Sequence, residues 1–439
     1  MKEFFKKLKD EIIPGFITRL KEDRKFLFTV LGIAAAVIIA IVVIIVVCVK
    51  GSEIKPDPGI TVDSTQVTFA PNATPTPSPA PEPGSEPTAT PTPSPSPTPT
   101  PDLHIGEVRS DLDGGWIKEE IANKRPFCAM LNNIIYANPQ SGVGEAKILY
   151  EALVEGGITR LMGVYEGVDE NSSCATRLGS IRSARHYYVS VATEYDAIYV
   201  HFGGAYYAYD KMEEMGIKDN MDGMSMGGDV FYRDKNIESP HNAFFSFVGA
   251  YQYLEDHKRR TEHKEGYTPN HFVFNDEQLY PADNSPVYNE SGEVIPYAGP
   301  EATPAYKVLL SYDRWTQPYM LYDPETQLYN RYQFGGIHID YNTQQPLTFT
   351  NIIIQIVHEW DKDRNDYQDM DLTDTSGKGY YISKGQFVPI TWKKNEKAGF
   401  MMYYGSDGEV LSINPGKTFI SLFPDFRTDY LSIEAQQNE

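Results

Sequence analysis

An uncharged apolar run, Phe26–Val49, restricts this chain more than any other feature of its sequence. As a helix rising ~1.5 Å per residue, it would reach ~36 Å, enough to cross a hydrocarbon core of ~30 Å. Its length and its lack of a small-residue cleavage site argue against a signal peptide. The run therefore predicts one retained transmembrane helix. Lipidation of Cys48 remains an alternative, although Val47 stands where a small residue is expected.

The charges that flank this span predict its orientation. Lysines and arginines crowd residues 1–25, whereas only Lys50 and Lys55 follow closely after the span. Basic residues favour the cytoplasmic side, so residues 1–25 are predicted to be a cytoplasmic segment and residues 50–439 to be extracytoplasmic, with the protein attached to the cell membrane by this single span. The net charge of −21 argues against nucleic acid as a partner.

Residues 50–102 are predicted to form a disordered stalk rich in proline, threonine and serine. Between Pro71 and Pro101, 13 of 31 residues are proline. Such a segment buries too little apolar surface to fold, and its prolines keep it extended at ~3.1 Å per residue. The stalk would carry the folded part away from the bilayer.

Residues 103–262 alternate between strand and helix patterns, and the pattern predicts an α/β domain. Parallel strands joined by helical crossovers are the usual arrangement of such an order. The predicted strands are 126–132, 158–167 and 196–204, and the predicted helices are 144–157, 183–195, 205–216 and 239–260.

A polar connection over residues 263–302 leads to a predicted β-rich domain, residues 303–430. Short aromatic and β-branched runs are separated there by turn pairs such as Lys384-Gly385 and Asp407-Gly408, which is typical of antiparallel strands. The acidic stretch 361–371 fails as a calcium loop because Asp366 replaces the required glycine and Leu372 the required glutamate. A hairpin tip is the better interpretation of that stretch.

Several motifs along the ectodomain resemble the YerB-like cell-envelope lipoproteins. They are "RPFCAMLNN" (125–133), "EALVEGGITRLM" (151–162), "GSIRSARHYYVSVATEYDAIYVHFGG" (179–204), "YDPETQLYNRYQ" (322–333), "TNIIIQIV" (350–357) and "INPGKTFISLFP" (413–424). The resemblance implies an extracytoplasmic, membrane-attached, two-domain protein of unknown biochemical function, and it brings no catalytic residues. The predicted spanning helix departs from the lipoprotein type.

The carboxyl ends of the predicted parallel strands are the expected place for a ligand site. Arg182 and Arg185 stand near the start of a predicted helix, with Ser183 as its N-cap, and two guanidinium groups there favour phosphate or carboxylate. The candidate ligand-binding residues are Asn132, Asn133, Arg177, Arg182, Arg185, His201, Gly203, Gly204 and Asn242.

Several of these residues also have a structural interpretation. Arg182 and Arg185 could instead pair with Glu151, Glu155 or Glu194. Asn242 could cap the following helix. The candidate proton carriers for catalysis are His201, His241 and Glu166, although a structural histidine is the commoner case.

Metal and thiol chemistry find little support in the sequence. His338 and Asp340 share one strand face but have no third ligand, so we predict neither a metal site nor a cofactor. Cys128 and Cys174 could form a disulfide or remain free.

Three functions are consistent with these features. The first is an envelope-binding module that grips an anionic group of a cell-wall glycan, peptide or envelope protein. The second is a hydrolase or transferase acting on envelope polymers, and the third is a protein-interaction scaffold. Motifs for a serine nucleophile, a zinc protease or a P-loop do not occur, which favours binding over catalysis.

Overall fold

β-Strands dominate the regular structure of the described part of the chain. The computed structural model describes residues 104–267, 271–276, 278–279, 287–288, 294–295, 303–364, 366–394 and 399–435. The predicted cytoplasmic segment, transmembrane span and stalk, together with Cys48, lie outside these ranges. Within them, no helix is long and apolar enough to cross a bilayer.

Four α-helices occur in the described ranges. They are α1 (Glu119–Ala122), α2 (His186–Glu194), α3 (Tyr206–Glu214) and α4 (Phe247–Asp256), and short 3-10 turns span Ile135–Ala137, Val143–Glu145, Glu155–Gly157 and Asp425–Tyr430.

The strands are numbered in chain order. The N-terminal half (residues 103–262) contains β1 (Glu107–Arg109), β2 (Trp116–Lys118), β3 (Phe127–Asn133), β4 (Ile148–Leu153), β5 (Thr159–Tyr165), β6 (Leu178–Gly179), β7 (Ile198–His201), β8 (Met221–Asp222), β9 (Phe231–Arg233) and β10 (Ala243–Phe245). The connection contains β11 (Val273–Phe274), β12 (Val287–Tyr288) and β13 (Val294–Ile295). The C-terminal half (303–430) and the four residues after it contain β14 (Thr303–Pro304), β15 (Lys307–Leu310), β16 (Tyr319–Asp323), β17 (Leu328–Gln333), β18 (Gly336–Ile337), β19 (Thr348–Phe349), β20 (Asn351–Val357), β21 (Glu359–Asp361), β22 (Gln368–Met370), β23 (Thr375–Ser383), β24 (Gln386–Lys394), β25 (Met402–Tyr404), β26 (Ser412–Ile413), β27 (Thr418–Pro424) and β28 (Leu431–Glu434).

A single 11-stranded sheet joins the two halves. Its order is β14-β24-β23-β20-β27-β4-β5-β3-β7-β8, with β25 added beside β24. The junction is the parallel pair β27 and β4, in which Ile420 lies opposite Tyr150. Antiparallel β15–β19 and β28 form a separate six-stranded sheet.

Both faces of the central strands of the large sheet are buried, and successive side chains of one strand enter different cores. In β3, Phe127 and Leu131 face the core that contains the six-stranded sheet and α4, whereas Cys128 and Met130 face the core that contains α2 and α3. Cys128 and Cys174 are buried free thiols, so the disulfide alternative is not present.

The predicted α/β pattern is confirmed only in part. Helices α2, α3 and α4 fall within the predicted segments 183–195, 205–216 and 239–260, and β3 pairs in parallel with β7. The predicted helix 144–157 is wrong, because its centre is strand β4. The strand predicted over 158–167 exists as β5 but runs antiparallel to both β3 and β4.

The C-terminal half is built largely as predicted from short antiparallel strands. Lys384 and Gly385, both at positive φ, form the two-residue turn between β23 and β24. Stretch 361–371 belongs to the β21–β22 hairpin. The parallel pairings of β27 with β20 and β4 were not predicted.

Candidate functional site

Residues 180–184 lie between the ends of β3 and β7. Arg182 donates its backbone N–H to Met130 O at 2.9 Å, and its own carbonyl accepts from Phe202 N at 3.0 Å. Asn132 N donates to Ser180 O at 2.9 Å. This pairing brings Arg182, Asn132 and the Gly203-Gly204 loop together at the carboxyl ends of β3 and β7, which is where the sequence placed them.

A cavity of about 470 Å³ opens beside Arg182. We call it the arginine cleft and define it by Arg182, Ser183, Gly203, Arg233 and Pro240, which line it. Its described lining contains two guanidinium groups and no carboxylate. The chain as a whole has a net charge of −21, so the cleft is a positively charged site on an acidic protein.

Arg182 has no carboxylate partner in the described part of the chain. Its Nη1 donates to Pro240 O at 3.4 Å, and its buried Nε has no hydrogen-bond partner there. Burial, followed by repulsion from Arg185 and Arg233, lowers its pKa. The positive charge of Arg182 is therefore not neutralised locally.

Arg233 supplies the second guanidinium of the cleft, and the sequence did not reveal it. It ends β9 and lies opposite Ala243 of β10. Its Nη1 donates to Asn242 Oδ1 at 2.7 Å, and its guanidinium carbon stands 4.6 Å from the ring centroid of Phe202. Both contacts fix the orientation of the Arg233 guanidinium, and neither neutralises its charge.

A third guanidinium lies behind the cleft. Arg160 is only 2% exposed, donates from Nη1 to Ser183 O at 3.1 Å, and has an unpartnered Nε among the described residues. Burial, and then Arg185 and Arg182, lower its pKa to about 9. At neutral pH Arg160 is still charged, so it adds to the positive potential at the cleft.

The other two predicted arginines are neutralised. Arg185 donates from Nε to Glu155 Oε1 at 2.8 Å and also bonds Glu155 through Nη2, which confirms one of the predicted pairings. Arg177 Nη1 lies 2.9 Å from Asp234 Oδ2. Arg185 is the N-cap of α2, so Ser183 does not have its predicted capping role.

The two glycines of the cleft hold a tight loop. Gly203, at φ +68°, donates its N–H to Asp222 Oδ1 at 2.8 Å, and a Cβ on Gly204 would stand 3.1 Å from the Tyr209 ring. Asp222 also accepts from Met224 N and Tyr209 Oη. Its carboxylate is therefore already occupied by hydrogen bonds.

The predicted asparagines separate into different environments. Asn132 donates from Nδ2 to His241 Nδ1 at 3.0 Å, close to the cleft. Asn133 is buried and donates to Glu151 Oε1 at 3.0 Å, which directs it into the core. Asn242 does not cap α4, because Ser246 accepts the capping bond from Gly249 N.

His201 and Glu166 are not brought into the cleft. His201 is fully buried, with Nδ1 2.9 Å from Gly203 O and Nε2 3.0 Å from Asn220 Oδ1. Glu166 follows Tyr165, which pairs with Phe127 at the opposite end of β3 from Asn132. Only His241, of the three candidate proton carriers, lies beside Arg182; burial and the charge of Arg182 lower its pKa.

No group of three or more His, Cys, Asp or Glu side chains able to hold a metal occurs among the described residues. His338 Nε2 lies 2.6 Å from Gln140 Oε1, and Asp340 accepts from Gly144 N at 2.7 Å. Both side chains are occupied by bonds within the protein.

Comparison with known proteins shows which protein family the chain resembles. Residues 112–262 match the N-terminal domain, and residues 308–420 the C-terminal domain, of a family described as a protein of unknown function, DUF3048. The chain is 29% identical over 319 residues to the "Putative lipoprotein YerB" of Bacillus subtilis, covering 73% of this chain and 87% of that protein. The crystal structure of the YerB protein from Bacillus subtilis matches with a TM-score of 0.61 at 27% identity, covering 74% of this chain and 99% of the other.

Proposed function

The chain belongs to the DUF3048 family of YerB-like proteins, and from this premise we propose that it is a membrane-attached cell-envelope protein that binds an anionic group in the arginine cleft. The ligand would be part of an envelope glycan, peptide or protein. The predicted N-terminal span would hold the protein at the membrane, with the stalk setting its distance from the bilayer.

One observation carries the proposal, namely that Arg182 has no carboxylate partner among the described residues although two other guanidinium groups lie beside it. Arg177 and Arg185 each have a carboxylate partner, whereas Arg182 and Arg233 line an open cavity whose described lining contains no carboxylate. Keeping like charges close costs free energy unless an anion neutralises them. Guanidinium forks form paired, charge-assisted hydrogen bonds with phosphate and carboxylate oxygens, which supports an anionic ligand.

A titration with inorganic phosphate tests this proposal. The full-length protein, purified in detergent, is titrated by calorimetry, together with Arg182→Gln and the exposed control Arg314→Gln. Loss of charge-assisted hydrogen bonds should weaken phosphate binding by Arg182→Gln at least about tenfold. Arg314→Gln should bind as the parent does. Equal phosphate affinity in the parent and Arg182→Gln would refute the anion site.

Hydrolysis of an envelope polymer is a second candidate, and His241 is the observation that favours it. Because its Nδ1 accepts from Asn132, the neutral imidazole carries its proton on Nε2 and can donate it. Under this alternative, His241→Ala should abolish turnover of an envelope polymer while leaving phosphate affinity within about twofold, since Arg182 and Arg233 remain. If His241→Ala released products at the same rate as the parent, a catalytic role for His241 would be excluded.

A further inference from the structure

A second cavity, of about 300 Å³, lies directly beside the arginine cleft. We call it the tyrosine pocket and define it by Tyr136, Arg177, Asp234, His241 and Tyr341, all of which line it. Tyr136 is 77% exposed and Tyr341 is 50% exposed. Two large aromatic side chains therefore present much of their surface to solvent around one small cavity.

The charges of this pocket are balanced, in contrast to those of the cleft. Arg177 pairs with Asp234, and its guanidinium carbon stands 3.9 Å from the ring centroid of Phe244 and 5.1 Å from that of Tyr341. Asn138 and Asn236 add amide groups to the lining. Aromatic faces combined with amides and a paired carboxylate suit a neutral, hydroxyl-bearing ring, because the ring's C–H face packs on tyrosine and its hydroxyls exchange hydrogen bonds.

The two cavities share their dividing wall. Pro240 lines the cleft and the next residue, His241, lines the pocket. Ser180 lines the pocket and Ile181 the cleft. The ring of His241 lies 5.9 Å from that of Tyr136, with 27° between their planes. Consecutive residues of the chain therefore separate the two cavities, which lie next to each other.

We propose that the two cavities together bind a phosphorylated sugar, with its phosphate between Arg182 and Arg233 and its ring against Tyr136. This inference rests on the anion site proposed above and names the class of its ligand. The guanidinium forks arrive from two separate segments, which suits a tetrahedral anion with oxygens on several sides better than a planar carboxylate. A phosphate monoester and a phosphodiester-linked sugar share this chemistry.

Calorimetry on the full-length protein with four probes tests the inference. The probes are methyl phosphate, glucose 1-phosphate, the methyl phosphodiester of glucose 1-phosphate, and methyl glucoside. The variants are Tyr136→Ala, Arg182→Gln and the exposed aromatic control Trp315→Ala. Tyr136 is mostly exposed, so its truncation leaves the core intact, and circular dichroism verifies the fold of each variant.

We expect at least one glucose phosphate to bind about fivefold more tightly than methyl phosphate, because the ring adds a stacking contact. Tyr136→Ala should remove this preference and leave methyl phosphate affinity unchanged. Arg182→Gln should weaken the binding of all three phosphate probes, and Trp315→Ala should leave their binding unchanged. The glucose phosphate that binds more tightly, of the two tested, shows whether the site prefers a monoester or a diester.

The outcomes separate this inference from the proposed function. If methyl phosphate binds through Arg182 but neither glucose phosphate binds more tightly, or Tyr136→Ala keeps their preference, the sugar assignment is overturned and the anion site stands. If no phosphate probe binds, both fail. Binding of methyl glucoside as tight as that of both glucose phosphates would also overturn the phosphate assignment.

Discussion

Arg331 Nη2 lies 2.8 Å from Glu151 Oε2, and neither side chain is exposed to solvent. Arg331 belongs to β17 of the six-stranded sheet and Glu151 to β4 of the large sheet, so the ion pair joins the C-terminal half to the N-terminal half. Glu151 also accepts from Thr159 Oγ1 at 2.6 Å, and Arg331 Nη1 lies 2.7 Å from Nδ1 of His338. Burial, and then Arg331, hold the pKa of His338 well below its usual value, so its neutral ring can accept that bond.

Arg331→Met should lower the free energy of unfolding by about 3–5 kcal/mol, since it leaves the buried charge of Glu151 without its partner. Guanidine denaturation of the full-length protein, followed by tryptophan fluorescence, measures the change. Arg314→Met, at an exposed position, should shift it by less than about 0.5 kcal/mol. Adding Glu151→Leu to Arg331→Met should recover part of the loss. An unchanged denaturation midpoint for Arg331→Met would show that the Arg331–Glu151 pair contributes nothing to stability.

Arg182 and Arg185 should differ in their effects on stability although they stand three residues apart. Arg185→Gln breaks the paired bonds to Glu155 and should cost about 1–3 kcal/mol. Arg182→Gln removes a cation repelled by Arg185 and Arg233, so it should leave stability unchanged or slightly raise it. Thermal unfolding without added anions checks both variants side by side. Equal losses would mean that Arg182 also has a structural partner.

Glu359 should make the protein less stable as pH rises. It is 3% exposed, and neither carboxylate oxygen has a hydrogen-bond partner in the described ranges. Burial, and then Asp425 and Asp361, raise its pKa from 4.5 to about 8. The folded protein therefore holds this proton more tightly than the unfolded chain, and the free energy of unfolding falls between about pH 4.5 and pH 8.

Glu359→Gln should remove that dependence. The variant should match the parent near about pH 4 and exceed it by about 2–4 kcal/mol near about pH 9, where the parent must bury a carboxylate. Guanidine titrations at a series of pH values supply the measurement, with the exposed Glu325→Gln as control. A parent and variant whose stabilities run parallel across this range would contradict the assignment.

Cys128 and Cys174 should resist thiol reagents in the folded protein. Both thiols are buried and free, and burial is the main cause that raises the pKa of each. Thiolate is the reactive form, so both burial and pKa slow the reaction. In a Cys48→Ser background, Ellman's reagent should label neither thiol until denaturant is added, and then both. Rapid labelling of the native protein would show that one of them is accessible.

The sequence pattern identified segments with one polar face clearly, and it was ambiguous where both faces are buried, since fully buried β3 and β5 were predicted as strands but fully buried β4 as a helix. Helix α3 keeps exposed residues on one side, and its pattern was recognised. All six residues of β4 are buried, so its sequence does not alternate between apolar and polar residues. Such a sequence is as compatible with a buried helix as with a strand. This error made β5 look parallel to β3 and placed Glu166 at the wrong end of the sheet.

The site was predictable only within one stretch of sequence. Asn132 lies at the end of β3, and Arg182, Gly203 and Gly204 lie in loops that follow strands, so the general rule for such ends brought them together. Arg233 and Arg160 come from β9 and β5, and no spacing connects them with Arg182. Which arginine would be neutralised also depended on tertiary contacts, since Glu155, Glu151 and Glu194 bond three different cations, Arg185, Arg331 and Lys394.

The place of β27 in the large sheet has a consequence for how this protein is made. The strand lies between β20 and β4 in the middle of the sheet, yet its residues, Thr418–Pro424, leave the ribosome later than those of both of its partner strands. Until then, β4 has no partner on one side, and such long-range pairing slows folding. A chain stopped just before Thr418 would leave β4 and β20 as two unpaired edges, and we expect it to aggregate instead of yielding a folded N-terminal half.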